Sequence, residues 1–255
     1  MLNEWLAPDD LSWFMREQFQ TAPFARPGAA SGALGALDWT TVDRILRSDE
    51  PLDVMTVRAG QLYPVPVPRS LGAARALMQA GISVVVRGAE QHDPGLRAVA
   101  DGFEAALPGE VHIQVYATPG GTNSYGWHYD FEDVFIAQTA GIKDYYFRQN
   151  TVARDTVLGD QLDFTCVRRE TSPIYQSRLI AGDWLYIPST WWHLVKCAED
   201  SLSISVGVMP PEALRKARRL PPGWTGTTRQ QGTAAGLAGE TRRRYDSRAW
   251  GSRSG

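Results

Sequence analysis

Three side chains in this sequence can meet as a metal site. The segment Trp127-His128-Tyr129-Asp130 places a histidine and a carboxylate two positions apart. In an extended chain, residues i and i+2 share a face, so His128 and Asp130 aim at one point while Trp127 and Tyr129 face away. His193, well downstream in Trp191-Trp192-His193, can close a third corner. Two imidazoles and one carboxylate with the opposite positions open form the ligand set that suits non-haem Fe(II) and its O2 chemistry. A His-x-Asp tripeptide alone is usually an ordinary strand or surface segment, and it is the context that adds weight here. The chain has only four histidines, and two of them fall where such a triad needs them.

The elements that must position these residues are short strands. From Val111 to Met209 the pattern predicts strands at Val111 to Thr118, Trp127 to Phe131, Asp133 to Gln138, Ile142 to Arg148, Leu179 to Ile180, Trp184 to Ile187, His193 to Cys197 and Leu202 to Met209. Many short strands with Gly, Pro and Asp turns argue for a mainly β protein with flanking helices, an antiparallel sandwich or barrel of the jelly-roll kind. Gly182 to Val195 reads as a turn, a strand, a Pro-directed turn and a new strand opening on His193.

Residues 1–110 read as a helical and mixed part that packs on this barrel. Helices are predicted from Leu11 to Gln20, from an Asp38 cap to about Ser48, from Leu71 to Ala80, and from Asp93-Pro94 to about Pro108-Gly109. In the last of these, Leu96, Val99, Ala100, Phe103 and Leu107 follow at helical spacing. Strands are predicted at Asp53 to Arg58 and Ile82 to Arg87. Residues 111–209 form the barrel core. Residues 210–255 begin with a short basic helix, Glu212 to Leu220, and continue as a Gly/Thr/Arg-rich tail whose composition predicts disorder. Such a tail reads as solvated, or as a contact for RNA or an acidic partner.

With 255 residues and 43% hydrophobic content the chain can bury one substantial core. A net charge of −2 indicates no nucleic-acid field. Cys166 and Cys197 are too few for a disulfide framework and read as buried thiols in a reducing cytoplasm. The N-terminus does not read as a secretory signal, and no apolar run approaches a membrane span.

Several ordered motifs together resemble the JmjC oxygenases of the cupin superfamily, and especially their ribosomal oxygenase branch. They run from about Gly81 to Val208: Gln114 to Gly121, Gly126 to Asp130, Asp133 to Gln138, Gly141-Ile142-Lys143, and Gly182-Asp183 through His193. The resemblance implies a double-stranded β-helix that holds Fe(II) on His128, Asp130 and His193. It also implies 2-oxoglutarate as co-substrate, consumed with O2 to hydroxylate a side chain in a protein or peptide. Lys143, on the strand that follows the metal-bearing segment, stands where the family places the lysine that binds the far carboxylate of 2-oxoglutarate. A lysine on an apolar strand is costly to bury unpaired, and either a carboxylate ligand or a route to solvent would satisfy it. Tyr116 matches the tyrosine of an Asn-x-Tyr pattern that contacts the co-substrate or orders its pocket. It reads equally well as a core aromatic.

The chain departs from the family in places. Gln114 replaces the asparagine, one methylene longer, and Asp144-Tyr145-Tyr146 stands where the family carries a tryptophan. The sequence stops soon after the last barrel strand, short of the helical dimerisation and winged-helix regions of the ribosomal oxygenases. A free amino acid or natural-product intermediate therefore stays open as substrate, as do a homodimer and a non-catalytic cupin-like binding module. Trp127, Trp191 and Trp192 read as barrel packing or as the wall of a substrate groove.

Overall fold

Alternation along the strands decides which side of the main sheet becomes core and which becomes cavity. In β11 (Ser201–Met209), Leu202, Ile204, Val206 and Val208 point one way while Ser201, Ser203, Ser205 and Gly207 point the other, and the whole strand is buried. A strand buried on both faces needs a layer on each side. The computed structural model, which describes residues 2–123, 125–153 and 164–211, supplies both layers.

Helices α1 (Leu2–Leu6), α2 (Leu11–Glu17), α3 (Trp39–Leu46), α4 (Leu71–Gln79) and α5 (Pro94–Glu104) cover one face. The strands preceding the barrel are β1 (Phe24–Arg26), β2 (Asp53–Arg58), β3 (Gln61–Leu62) and β4 (Ser83–Arg87). Then follow β5 (Glu110–Thr118), β6 (Asp133–Ala140), β7 (Lys143–Arg148), β8 (Tyr175–Leu179), β9 (Trp184–Ile187), β10 (Trp192–Cys197) and β11. Eight strands form one antiparallel sheet in the order β1-β9-β6-β11-β5-β4-β2-β3, and a second sheet has the order β10-β7-β8. Hydrogen bonding is continuous from β4 into β5, so strands that precede the barrel segment extend the main sheet itself. These sheets make the mainly β, helix-flanked architecture expected from the sequence.

Two apolar layers result. Ile113, Val115, Phe135, Trp184, Tyr186, Ile204 and Val206 pack against Trp5, Phe14, Leu96, Val99 and Phe103 from the helices. Between the sheets, Val134, Ile136, Leu185 and Ile187 meet Tyr145, Phe147 and Leu179. The helices are capped as their sequences dictate: Asp38, Ser70 and Asp93 each accept a hydrogen bond from a backbone N–H of the first turn. α1 and β1 are additions to the sequence reading. Both are too short to show a period, and tertiary contacts hold them. One such contact is Trp184 Nε1 donating to the Trp5 carbonyl at 2.7 Å. α2 ends at Glu17 rather than Gln20, because Gln20 takes a positive φ of 58° and gives its N–H to the Tyr186 hydroxyl. The basic helix and tail expected from Glu212 onward, and the side chain of Cys166, lie outside the described residues. Among the described residues no helix is long and apolar enough to cross a membrane.

The β6–β7 connection carries a strict glycine requirement. Gly141 has φ +69°, and a Cβ there would collide with the Asp200 carbonyl and lie 2.9 Å from Ser201 Cα, both backbone. Gly121 has φ +73° with nothing within 4 Å of its would-be Cβ. Gly121→Ala should therefore cost only the left-handed penalty, about 1–2 kcal/mol. Gly141→Ala should cost about 3–4 kcal/mol, because backbone must also move. Urea unfolding of the two variants checks this order, and equal losses would mean that the Asp200 strand end yields freely.

Candidate metal centre

The segment from Trp127 to Phe131 is not a strand, contrary to the sequence expectation. It makes a single isolated bridge, in which His128 N–H donates to the His193 carbonyl at 3.0 Å and His193 N–H donates to the His128 carbonyl at 2.7 Å. The ladder cannot continue because the partner segment turns away through Pro188-Ser189-Thr190-Trp191. Pro188 has no N–H to offer. Trp191 N–H closes that turn on the Pro188 carbonyl at 3.2 Å. Thr190 sits in it at φ +69°, a left-handed conformation that costs a β-branched residue about 1–2 kcal/mol. Thr190 N–H is held by the Asp130 carbonyl at 2.7 Å.

Local extension still brings His128 and Asp130 to one side, and the bridge sets His193 against them. Ligand atoms of His128, Asp130 and His193 all lie within 4.8 Å of one another, and His193 Nε2 is 3.4 Å from Asp130 Oδ2. Each imidazole is oriented through its other nitrogen: His128 Nδ1 lies 2.8 Å from the Gly126 carbonyl and His193 Nδ1 3.1 Å from that of Trp191. A carbonyl only accepts, so Nδ1 carries the proton and the Nε2 lone pair is left for a metal.

Electrostatics fit the same use. Burial first, then the neighbouring His193, push the His128 imidazole down to about 4, so it is neutral at physiological pH. Burial alone would raise the Asp130 carboxyl. The neighbouring imidazoles of His193, His128 and His112 outweigh it and hold the acid at about 2. Two imidazole nitrogens and one carboxylate converging in a half-buried pocket are the donor set a divalent ion of Fe(II) type takes, with one side left open.

That open side is a cavity lined by Tyr116, Ile136, Lys143, Tyr145, Val195 and Ser203 with the triad. Lys143 is buried, its Nζ donates to Ser203 Oγ at 2.7 Å, and the Tyr116 ring lies 5.5 Å away. It does not reach solvent. Burial pushes its ammonium down, opposed by Cys197, and no carboxylate among the described residues pairs with it. A buried cation in that condition is a receptor for an anion.

A second chamber meets the first at His128 and Asp130 and is lined by Met55, Gln114, Tyr125, Glu132 and Ser205. Tyr116 hydroxyl donates to Gln114 Oε1 at 2.9 Å, so these two residues of β5 form a unit on the inner face between the chambers. At the chamber's end Glu132 lies 3.1 Å from His112 Nε2. Burial opposes charge on that imidazole, and Glu132 outweighs it, raising its pKa. Gly207 leaves the space for the pair, since a Cβ there would meet both side chains.

Ser203, Ser205, Tyr125, Tyr145 and Glu132 are site residues the sequence reading did not single out. A signal for the serines exists in Ser201-x-Ser203-x-Ser205-x-Gly207, where small polar residues alternate with aliphatics on a strand that is buried throughout. Among the tryptophans, Trp192 is buried with its ring 4.7 Å from Tyr129, and Trp191 packs on the inter-sheet core.

With this geometry in view, the similarities to known proteins are specific. The JmjC domain profile matches residues 98–215. The bifunctional lysine-specific demethylase and histidyl-hydroxylase NO66 of Drosophila pseudoobscura pseudoobscura is 25% identical over 222 residues, covering 80% of this chain and 22% of that protein. This chain thus spans less than a quarter of that relative's length. The X-ray structure of Escherichia coli YcfD superposes with a TM-score of 0.59 at 18% identity, over 91% of this chain and 64% of that one. YcfD, a ribosomal oxygenase, in complex with cobalt and 2-oxoglutarate gives a TM-score of 0.55 at 18% identity, over 92% of this chain and 63% of that one. Residues 98–215 thus resemble a JmjC domain, and the fold of the chain is similar to that of YcfD.

Proposed function

We propose that the chain is an Fe(II)- and 2-oxoglutarate-dependent oxygenase that hydroxylates an amino-acid side chain in a protein or peptide. The observation that carries the reading is the pairing of the His128, Asp130 and His193 cluster with a buried, carboxylate-free Lys143 in one cavity. A metal site alone would suit many reactions. A metal site facing an anion receptor suits a chelating co-substrate with a far carboxylate, and YcfD in the cobalt complex binds 2-oxoglutarate. The name of the NO66 relative, a histidyl-hydroxylase, supports a protein side chain as substrate.

Bound iron with 2-oxoglutarate supplies O2-dependent oxidation of a C–H bond, chemistry no side chain provides. The residues of the chain hold and shield. His128 and His193 present Nε2 because main-chain carbonyls hold their Nδ1 protons, and Asp130 stays ionised. Lys143 binds the far carboxylate through Nζ, with Ser203 fixing that nitrogen. Tyr116 and Tyr145 stay protonated, since burial raises both hydroxyls, so they add no competing charge. Val134, Ile136 and Val195 exclude water from the co-substrate side.

Succinate release from 2-oxoglutarate with Fe(II) and ascorbate tests the class. His128→Ala and Asp130→Ala should abolish it with the circular dichroism spectrum unchanged, and full turnover in Asp130→Ala would remove the triad from the reaction. Loss of a charge-assisted bond to a buried carboxylate is worth about 1.5–3 kcal/mol, so Lys143→Ala should weaken 2-oxoglutarate binding about ten- to a hundred-fold. Ser203→Ala leaves the Lys143 charge in place, removes only the hydroxyl that positions it, and should cost about two- to ten-fold. A titration in which Ser203→Ala costs as much as Lys143→Ala would overturn this division of roles.

A further inference from the structure

Asp133 is fully buried, it is not a ligand, and it lies just past Asp130 at the start of β6. Its Oδ1 accepts from the Tyr186 hydroxyl at 2.6 Å and from Ser189 N–H at 3.2 Å, and its Oδ2 accepts from Gln20 Nε2 at 3.2 Å. Ser189 Oγ in turn donates to the Phe131 carbonyl at 3.0 Å, and Thr190 N–H donates to that of Asp130 at 2.7 Å. The N–H and hydroxyl of Ser189 and the N–H of Thr190, the two central residues of the turn before His193, are thus all bound by residues 130–133. That turn contains the left-handed Thr190 and has no ladder of its own. A strained turn relaxes unless its surroundings over-determine it.

We propose that Asp133 is a positioning residue for the metal centre: its carboxylate clamps the Pro188–Trp191 turn and so fixes where His193 stands relative to His128 and Asp130. The inference rests on the reading that the triad holds a divalent metal. Asp133 does not touch the metal. It acts through Ser189 and the turn, while Tyr186 and Gln20 hold the carboxylate from β9 and the α2 end. An amide of the same shape can take the same bonds, because Asn keeps one oxygen for Tyr186 and Ser189 and can meet a flipped Gln20 amide with its NH2.

The test is an anaerobic Co(II) titration of the full chain, followed by visible absorption, beside thermal unfolding of the metal-free protein. Asp133→Ala should weaken Co(II) binding about ten- to a hundred-fold, the range for loss of an outer partner of a metal site. Asp133→Asn should recover most of it. Val99→Ala, a cavity variant on α5 remote from the turn, controls for lost stability and should leave Co(II) affinity within about two-fold of wild type. If Asp133→Ala does not fold, Ser189→Ala, which removes only the strut to the Phe131 carbonyl, should still weaken Co(II) about three-fold. The clamp is overturned if Asp133→Ala binds Co(II) as the wild type does, if Val99→Ala loses as much affinity at equal destabilisation, or, where only Ser189→Ala folds, if that variant binds unchanged. Should the wild type show no Co(II) site sensitive to His128→Ala, the metal reading itself fails, an outcome distinct from failure of the clamp.

Discussion

The two backbone hydrogen bonds exchanged by His128 and His193 are the constraint on which the site depends. They join segments far apart in sequence at one point, where neither belongs to a regular ladder on that side. Main-chain bonds set the spacing of Cα atoms far more tightly than side-chain packing does, because a bridged antiparallel pair has a fixed geometry. Given that bridge, the side chains need little further freedom. The carbonyls of Gly126 and Trp191 orient the rings, and Asp130 follows from extension alone. The rest of the barrel reads as support for this contact: β10 is held by β7 on its far side, and β6 carries the chain away from Asp130 into the main sheet.

The interior polarity of the barrel follows from the same requirement. A sheet that was only a scaffold would turn aliphatics toward both layers. Here the helix-facing side of β5 and β11 is aliphatic, while the cavity-facing side carries His112, Gln114, Tyr116, Ser203 and Ser205. Burying such groups is costly unless each finds a partner, and several do so in pairs: Tyr116 with Gln114, Lys143 with Ser203, His112 with Glu132. What is left over, the Nε2 atoms, the Asp130 carboxylate and the charge on Lys143, is what a ligand would satisfy.

Much of this was legible in the sequence. The His-x-Asp spacing acts over a very short range, and the capped helices and β-branched strands follow from local chemistry that the tertiary structure does not override. Trp127 to Phe131 misled because its composition suits a strand, and only the turn at Pro188, far away in sequence, shows that it lacks a partner. Glu132 and His112 were illegible for a similar reason. Their meeting depends on the absence of a side chain at Gly207, on a strand much later in the chain. The extension of the main sheet through β4 and β2 was hidden because an edge-to-edge pairing of two modest strands leaves no periodic signature that distinguishes it from packing.

The position of β11 bears on the order in which the molecule can assemble. It is the last described strand in the chain, yet it lies between β5 and β6 and hydrogen-bonds to both along nearly its whole length. Until it arrives, β5 with β4 and β2 forms one open half and β6 with β9 another, each presenting an unpaired central edge. The cavity has no wall on that side, and Lys143 has no Ser203 to hold it. During synthesis the halves must therefore wait for the segment ending at Met209, a long-range closure of the kind that makes β-rich domains slow to fold.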